Sequence, residues 1–311
     1  MANLKDIKSR IQSVENTKKI TRAMKMVAAA KVKKAENSVK AARPFANELI
    51  KAFKRLLLAV GTPTNEGLAI KNNIENYPEL LKTRDVKTAG ILVITSNKGL
   101  AGAYNANVVR NVLKQIKDND EKGIQTKLFI VGQKGISALR RKAEELNAEI
   151  VKTYVQVANE ITAVGAEDIA QDLAEKFVDR EIDSIEIFTT KFKNMMSYSA
   201  EKWTLLPINV DDELSKEMET STEINPIMVF EPSEQSILQK IAPLYITNTI
   251  YQALLEAQAS ELASRMTAMS AASNNAEEMI RTLTIDYNKA RQWAITQEIL
   301  EVVSGADALK G

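Results

Sequence analysis

The 311 residues are 45% hydrophobic and 26% charged, a globular composition with room for about two domains. Neither Cys nor His occurs, which excludes disulfides, thiol switches, Cys/His metal sites and nucleophilic catalysis through a Ser–His or Cys–His pair. Net charge is only +2, yet residues 1–58 hold 15 Lys and Arg against 4 Asp and Glu, so +11 at the front is offset by −9 over the remainder.

A helical pattern begins at once, at Leu4, with no signal-peptide core before it. No apolar run approaches the ~20 residues of a membrane span. Residues 3–58 carry two heptad tracks. One is Leu4, Ile11, Lys18, Lys25, Val32, Val39, Ala46 and Phe53; the other is Ile7, Val14, Thr21, Ala28, Ala35, Ala42, Leu49 and Leu56. Their spacing of three and four predicts a coiled-coil helix, small at mid-seam, that absorbs Pro44. Residues 59–84 read as a linker with Gly61, Pro63, Gly67 and Pro78.

The period then changes. Strands are expected at Gly90–Thr95, Lys127–Val131, Glu149–Val155, Ser184–Thr189 and Lys202–Ile208. Helices are expected at Asn105–Lys117, Ile136–Leu146 and Ala166–Arg180. Strand–helix alternation over 85–208 predicts a small Rossmann-like α/β domain with a mostly parallel sheet. Residues 209–233 read as an acidic connection with a short apolar run at Ile227–Phe230.

From Leu244 to Ser304 the chain has neither Gly nor Pro, with Pro243 before the stretch and Gly305 after it as a C-terminal cap. Its tracks are Asn248, Leu255, Leu262, Met269, Ala276, Leu283, Ala290 and Tyr245, Gln252, Ala259, Met266, Ser273, Ile280, Tyr287, Ala294. A single helix of this length would reach about 90 Å; two or three shorter helices in a bundle are the alternative. Matching seams at the two ends of the chain predict an antiparallel coiled coil of residues 1–58 with 234–311, in which Leu262 and Leu283 are buried.

Three constellations invite chemistry. Ser96–Gly102 and Gly132–Gly135 are glycine-containing turns after strands, but neither is GxGxxG or GxxxxGK[ST], so structural turns are the favoured reading over nucleotide binding. The basic first helix suits polyanions, although near-neutrality overall and the lack of interleaved aromatics oppose nucleic acid. Glu298 and Glu301 sit on neighbouring helix faces, where a solvated face is commoner than a two-carboxylate site.

The ends of the chain carry a specific resemblance. Residues 7–30 read IKSRIQSVENTKKITRAMKMVAAA; the other end holds SELASRMTAM (260–269), YNKARQ (287–292) and ITQEILEVVSGA (295–306). Together with Arg43-Pro44-Phe45, Gly99–Gly102 and Leu205–Pro207, these resemble the gamma subunit of the F-type ATP synthase over the whole chain, with wording that leans to the cyanobacterial and chloroplast branch. The resemblance implies a non-catalytic rotor with no cofactor or metal of its own. Its two terminal helices would form a shaft inside a ring of alpha and beta subunits, and its α/β domain a foot on epsilon and the membrane c-ring. It further implies beta-subunit contacts at Met24, Lys25, Arg291, Gln292, Thr296, Glu298 and Glu301, c-ring or epsilon contacts near Met228, Phe230 and Glu231, and placement on the cytoplasmic side of a cell or thylakoid membrane. Chloroplast members carry a Cys-containing regulatory insertion, and the absence of Cys here excludes such a thiol-gated switch. The competing readings are an α/β nucleotide hydrolase with helical arms and a coiled-coil interaction scaffold without a rotary role.

Overall fold

A computed structural model describes residues 4–64, 67–70, 79–81, 84–207 and 234–308. The first helix, α1, runs Leu4–Val60 and the last, α5, runs Glu234–Ala308. Both continue through a proline, Pro44 and Pro243, each on an exposed face. There the missing N–H leaves a carbonyl that water can take, so α5 runs through Pro243 unbroken. Nor does Gly305 cap the helix, which continues to Ala308. Within 59–84, two short strands, β1 (Gly61–Thr64) and β2 (Gly67–Ile70), pair antiparallel.

The central elements follow as β3 (Thr88–Ile94), α2 (Tyr104–Glu121), β4 (Gln125–Val131), α3 (Gln133–Glu145), β5 (Ala148–Tyr154), α4 (Ala163–Val178), β6 (Ser184–Asn194) and β7 (Ser197–Leu206). They build one five-stranded sheet in the order β5-β4-β3-β6-β7. The first four strands are parallel, and β7 returns antiparallel beside β6. The last strand begins at Ser197, five residues before its expected start at Lys202, because the β6–β7 hairpin projects beyond the sheet.

Period-two alternation sends the strands' side chains to two different cores. Ile91 and Val93 join Val108, Val112, Ile116 and Leu139 under α2 and α3. Leu92 and Ile94 face the other way, into a core with Ile169, Leu173 and Phe177 of α4 and with Phe53, Ile246 and Ile250 of the long helices. Strands buried on both faces read as continuous apolar runs, as β3 and β4 do.

Two compact units emerge: Lys31–Ser264, and Met1–Ala30 with Arg265–Gly311. In the larger unit, Val32, Ala35 and Val39 of α1 meet Leu255, Ala259, Leu262 and Ala263 of α5, with Phe192 of β6 inserted in the same core. The rings of Phe53 and Tyr245 stack with centroids 5.2 Å apart. In the smaller unit, Lys18 pairs with Glu277 at 3.3 Å, and the Lys25 ammonium donates to the Ser270 hydroxyl at 2.9 Å. Seven residues forward on one helix are thus seven backward on the other, an antiparallel register. The heptad tracks are followed closely up to Ala276. Leu262 is buried as expected, but Leu283 is only partly so. The smaller unit comprises just two helical segments, and a seam covered by a single partner stays half open.

Candidate functional site

The glycine turns at the carboxyl ends of β3 and β4 lie where a doubly wound sheet would hold a ligand. Here the position is filled by the chain itself. Gln133 N–H, the first of α3, donates to Asn97 Oδ1 at 2.9 Å; Lys134 N–H donates to the Ser96 carbonyl at 3.0 Å; Gly135 N–H donates to Thr95 Oγ1 at 2.9 Å. Thr95 Oγ1 in turn donates to the Val131 carbonyl at 2.7 Å, and Ser96 N–H donates to Asn105 Oδ1 at 3.0 Å. A phosphate would have to displace all three helix amides from good partners. Gly132, at φ 92°, closes the arrangement, since a Cβ there would collide with the Thr95 carbonyl. On its outer side the loop is tied to α5: Ser264 Oγ donates to the Ala101 carbonyl at 2.6 Å and meets Tyr198 Oη at 3.1 Å.

A second polar cluster was not foreseen. Glu256 on α5 has a side chain only 1% exposed. One of its oxygens accepts from Arg43 Nε of α1 at 3.2 Å and from Gln252 Nε2 at 3.3 Å; the other accepts from the Phe192 N–H of β6 at 3.1 Å. Arg43 Nη2 donates to the Phe192 carbonyl at 2.7 Å. A cue existed in the sequence: a lone carboxylate within the apolar run Ala253–Ala257, and a single Arg beside Pro44. Nothing in the sequence alone paired the two.

The predicted contact residues divide into two levels. Met24 is half-buried and Lys25 is exposed opposite Ser270. Arg291, Gln292, Thr296, Glu298 and Glu301 are all exposed. By the antiparallel register they lie about 20–30 residues further along, roughly 30–45 Å at 1.5 Å per residue. The two groups therefore do not converge on one site. Thr296 Oγ1 is occupied within its own helix, donating to the Gln292 carbonyl at 2.9 Å. Arg291, Glu298 and Glu301 form no ion pair with any described residue. Around them Trp293, Ile295, Ile299, Leu300, Val302 and Val303 are each about half or more exposed. An apolar patch of this kind on a helix end is the mark of an interaction surface. Met228, Phe230 and Glu231 lie outside the described residues.

Comparison with known proteins gives the arrangement its context. A family model described as ATP synthase matches residues 3–309. An ATP synthase gamma chain of Synechococcus sp. (strain JA-3-3Ab) is 42% identical, with 99% of this chain and 100% of the relative covered. That of Nostoc punctiforme is also 42% identical over the same shares. Among solved structures, a chain of the Tetrahymena thermophila mitochondrial ATP synthase, described as central stalk and c-ring, aligns with a TM-score of 0.59 at 27% identity, covering 82% of this chain and 99% of that one. A chain of the Euglena gracilis mitochondrial ATP synthase aligns with a TM-score of 0.65 over 98% of this chain and 94% of that one; at 16% identity it shares the fold. The closed glycine loop, the antiparallel helix pair and these matches agree: the chain belongs to the ATP synthase gamma chain family.

Proposed function

We propose that this chain is the central-stalk rotor of a proton-translocating F-type ATP synthase, passing torque between the membrane c-ring and the catalytic beta subunits and thereby regulating ATPase activity and proton flow. Residues 1–58 with 234–311 serve as the shaft within the alpha and beta hexamer. Residues 85–208 serve as the foot on epsilon and the c-ring, with 59–84 and 209–233 as connections. The subunit does no chemistry itself. Among its described residues no helix is long and apolar enough to cross a membrane, and it is held peripherally by the complex, on the cytoplasmic side of the cell or thylakoid membrane. Met24, Lys25, Arg291, Gln292, Thr296, Glu298 and Glu301 meet beta; Met228, Phe230 and Glu231 meet the c-ring or epsilon.

One observation carries the reading: residues 295–306 are exposed throughout, rich in apolar side chains, at the end of a helix whose seam partner begins at Leu4. Such a tip needs a surrounding surface supplied by other chains. The decisive experiment mixes the purified chain with alpha and beta subunits. The chain alone is expected to show neither ATP hydrolysis nor salt-dependent DNA binding, and to restore ATPase activity on mixing. Hydrolysis by the isolated chain, or no change on mixing, overturns the reading.

A further inference from the structure

Around the sheet, Val32, Ala35 and Val39 of α1 pack with Leu255, Ala259, Leu262 and Ala263 of α5, and the Phe53 and Tyr245 rings stack. Apolar packing is non-directional, so by itself it resists separation better than it resists twisting. A rotor must resist twisting. Beside the single Thr189–Ala253 and Ser264–Ala101 hydrogen bonds, the polar cluster at Arg43, Glu256 and Phe192 is the charged feature at this level with direction built into it.

Its hydrogen bonds close a ring through three elements. Phe192 N–H donates to Glu256 Oε2, Glu256 Oε1 accepts from Arg43 Nε, and Arg43 Nη2 donates back to the Phe192 carbonyl. Both backbone polar groups of a single β6 residue are therefore held, one by α5 and one by α1. The Phe192 ring, 3% exposed, sits beneath them among Val32, Val39, Leu255 and Leu262. Each bond is charge-assisted and angle-dependent, and the Glu256 side chain is only 1% exposed. Buried ionic groups are poor sources of net stability, and their best-attested use is to fix register.

We infer that the Arg43–Glu256–Phe192 ring is the torsional lock that holds the α/β domain at one angle on the paired helices, with Arg43 and Glu256 as positioning residues for torque transfer. This rests on the rotor reading above. Apolar packing keeps the three elements together, while the ring keeps them from slipping under load. Thr189 Oγ1, donating to the Ala253 carbonyl at 3.2 Å, is a weaker tie on the same strand.

The test uses the whole enzyme in sealed membrane vesicles and compares a loaded with an unloaded readout. Glu256→Gln keeps the size and an acceptor oxygen but loses the charge, and Arg43→Lys keeps the charge but loses the fork. Both are expected to leave assembly and uncoupler-released ATP hydrolysis near wild type. The ratio of ATP synthesis to that unloaded hydrolysis should fall about tenfold for Glu256→Gln, the population factor set by one lost charge-assisted hydrogen bond. Arg43→Lys should fall less. The exchange Arg43→Glu with Glu256→Arg should not recover the ratio, because a cation at 256 cannot accept from Phe192 N–H. Recovery by the exchange would reduce the ring to a simple ion pair and overturn the inference. An unchanged ratio in both single variants, or a loss of unloaded hydrolysis in step with the melting temperature, overturns it too. If the wild-type complex makes no ATP under a proton gradient, the rotor reading itself has failed, a result distinct from these.

Discussion

Tyr104 opens α2 with its side chain 1% exposed, its ring tilted against that of Tyr198 at 6.2 Å. Burial, with the negative charge of Glu261 nearby, raises its phenol well above the ordinary tyrosine value. Tyr154 is raised in the same direction, first by burial and then by donating to Asp172 at 2.9 Å. In the unfolded chain both phenols ionise near pH ~10, while the folded chain keeps the protons longer. The unfolded state thus binds fewer protons as pH rises, so stability is intact below about pH 10 and declines above it. Tyr104→Phe removes one of these titrations. Its melting temperature plotted against pH should fall less steeply above pH 10 than wild type, and the double variant with Tyr154→Phe less steeply again. Equal slopes in all three would mean that other groups govern the alkaline limit.

On the scale of elements, the two long helices were legible because apolar spacing of three and four persisted through their whole length. The heptad tracks located the buried faces from Ile7 to Leu56 and from Leu255 to Ala276. They overreached at Leu283, because periodicity reports which face is apolar and not how many partners cover it. Leu262→Ala should accordingly cost about 2–5 kcal/mol, and Leu283→Ala roughly 1 kcal/mol, measured by denaturant unfolding of the assembled subunit. Equal costs would place Leu283 in a closed core. The sheet was legible for a different reason: β3 and β4 are apolar on both faces, and their glycine turns lacked the spacing of a phosphate loop. What escaped was chemistry that joins distant segments. Arg43, Phe192 and Glu256 are 149 and 64 residues apart, and no local pattern pairs a buried Glu with a backbone amide. Gly305 misled because cap rules describe the average helix, whereas here the helix continues through an exposed glycine to Ala308.

For the molecule as a whole, the question is how a protein with no chemistry of its own controls chemistry elsewhere. Its contact with a catalytic partner has to be specific in angle and yet easily broken, because every rotary step makes and releases it. The exposed end of α5 has the composition for this. Along one stripe Gln292 and Thr296 are followed by Ile299 and Val303, so polar groups precede apolar ones there, while the neighbouring stripe Arg291, Ile295, Glu298 and Val302 alternates between the two. Exposed polar and ionic pairs are worth about 0–1 kcal/mol each, enough to bias an angle without trapping it. A broad apolar grip at the same height would bury enough surface to hold one rotary state, whereas further along a smooth apolar tip can turn inside a sleeve. Gln292→Ala with Thr296→Ala removes the polar pair while leaving the helix intact, since Thr296 Oγ1 bonds only its own turn and Ala is the better helix former. ATP hydrolysis and ATP synthesis should fall together in this double variant, with the subunit composition of the purified complex unchanged. Loss of subunits from the complex would make these two residues structural. Unchanged turnover would move the torque-bearing contact to the other level, that of Met24 and Lys25, where Lys25 bonds Ser270.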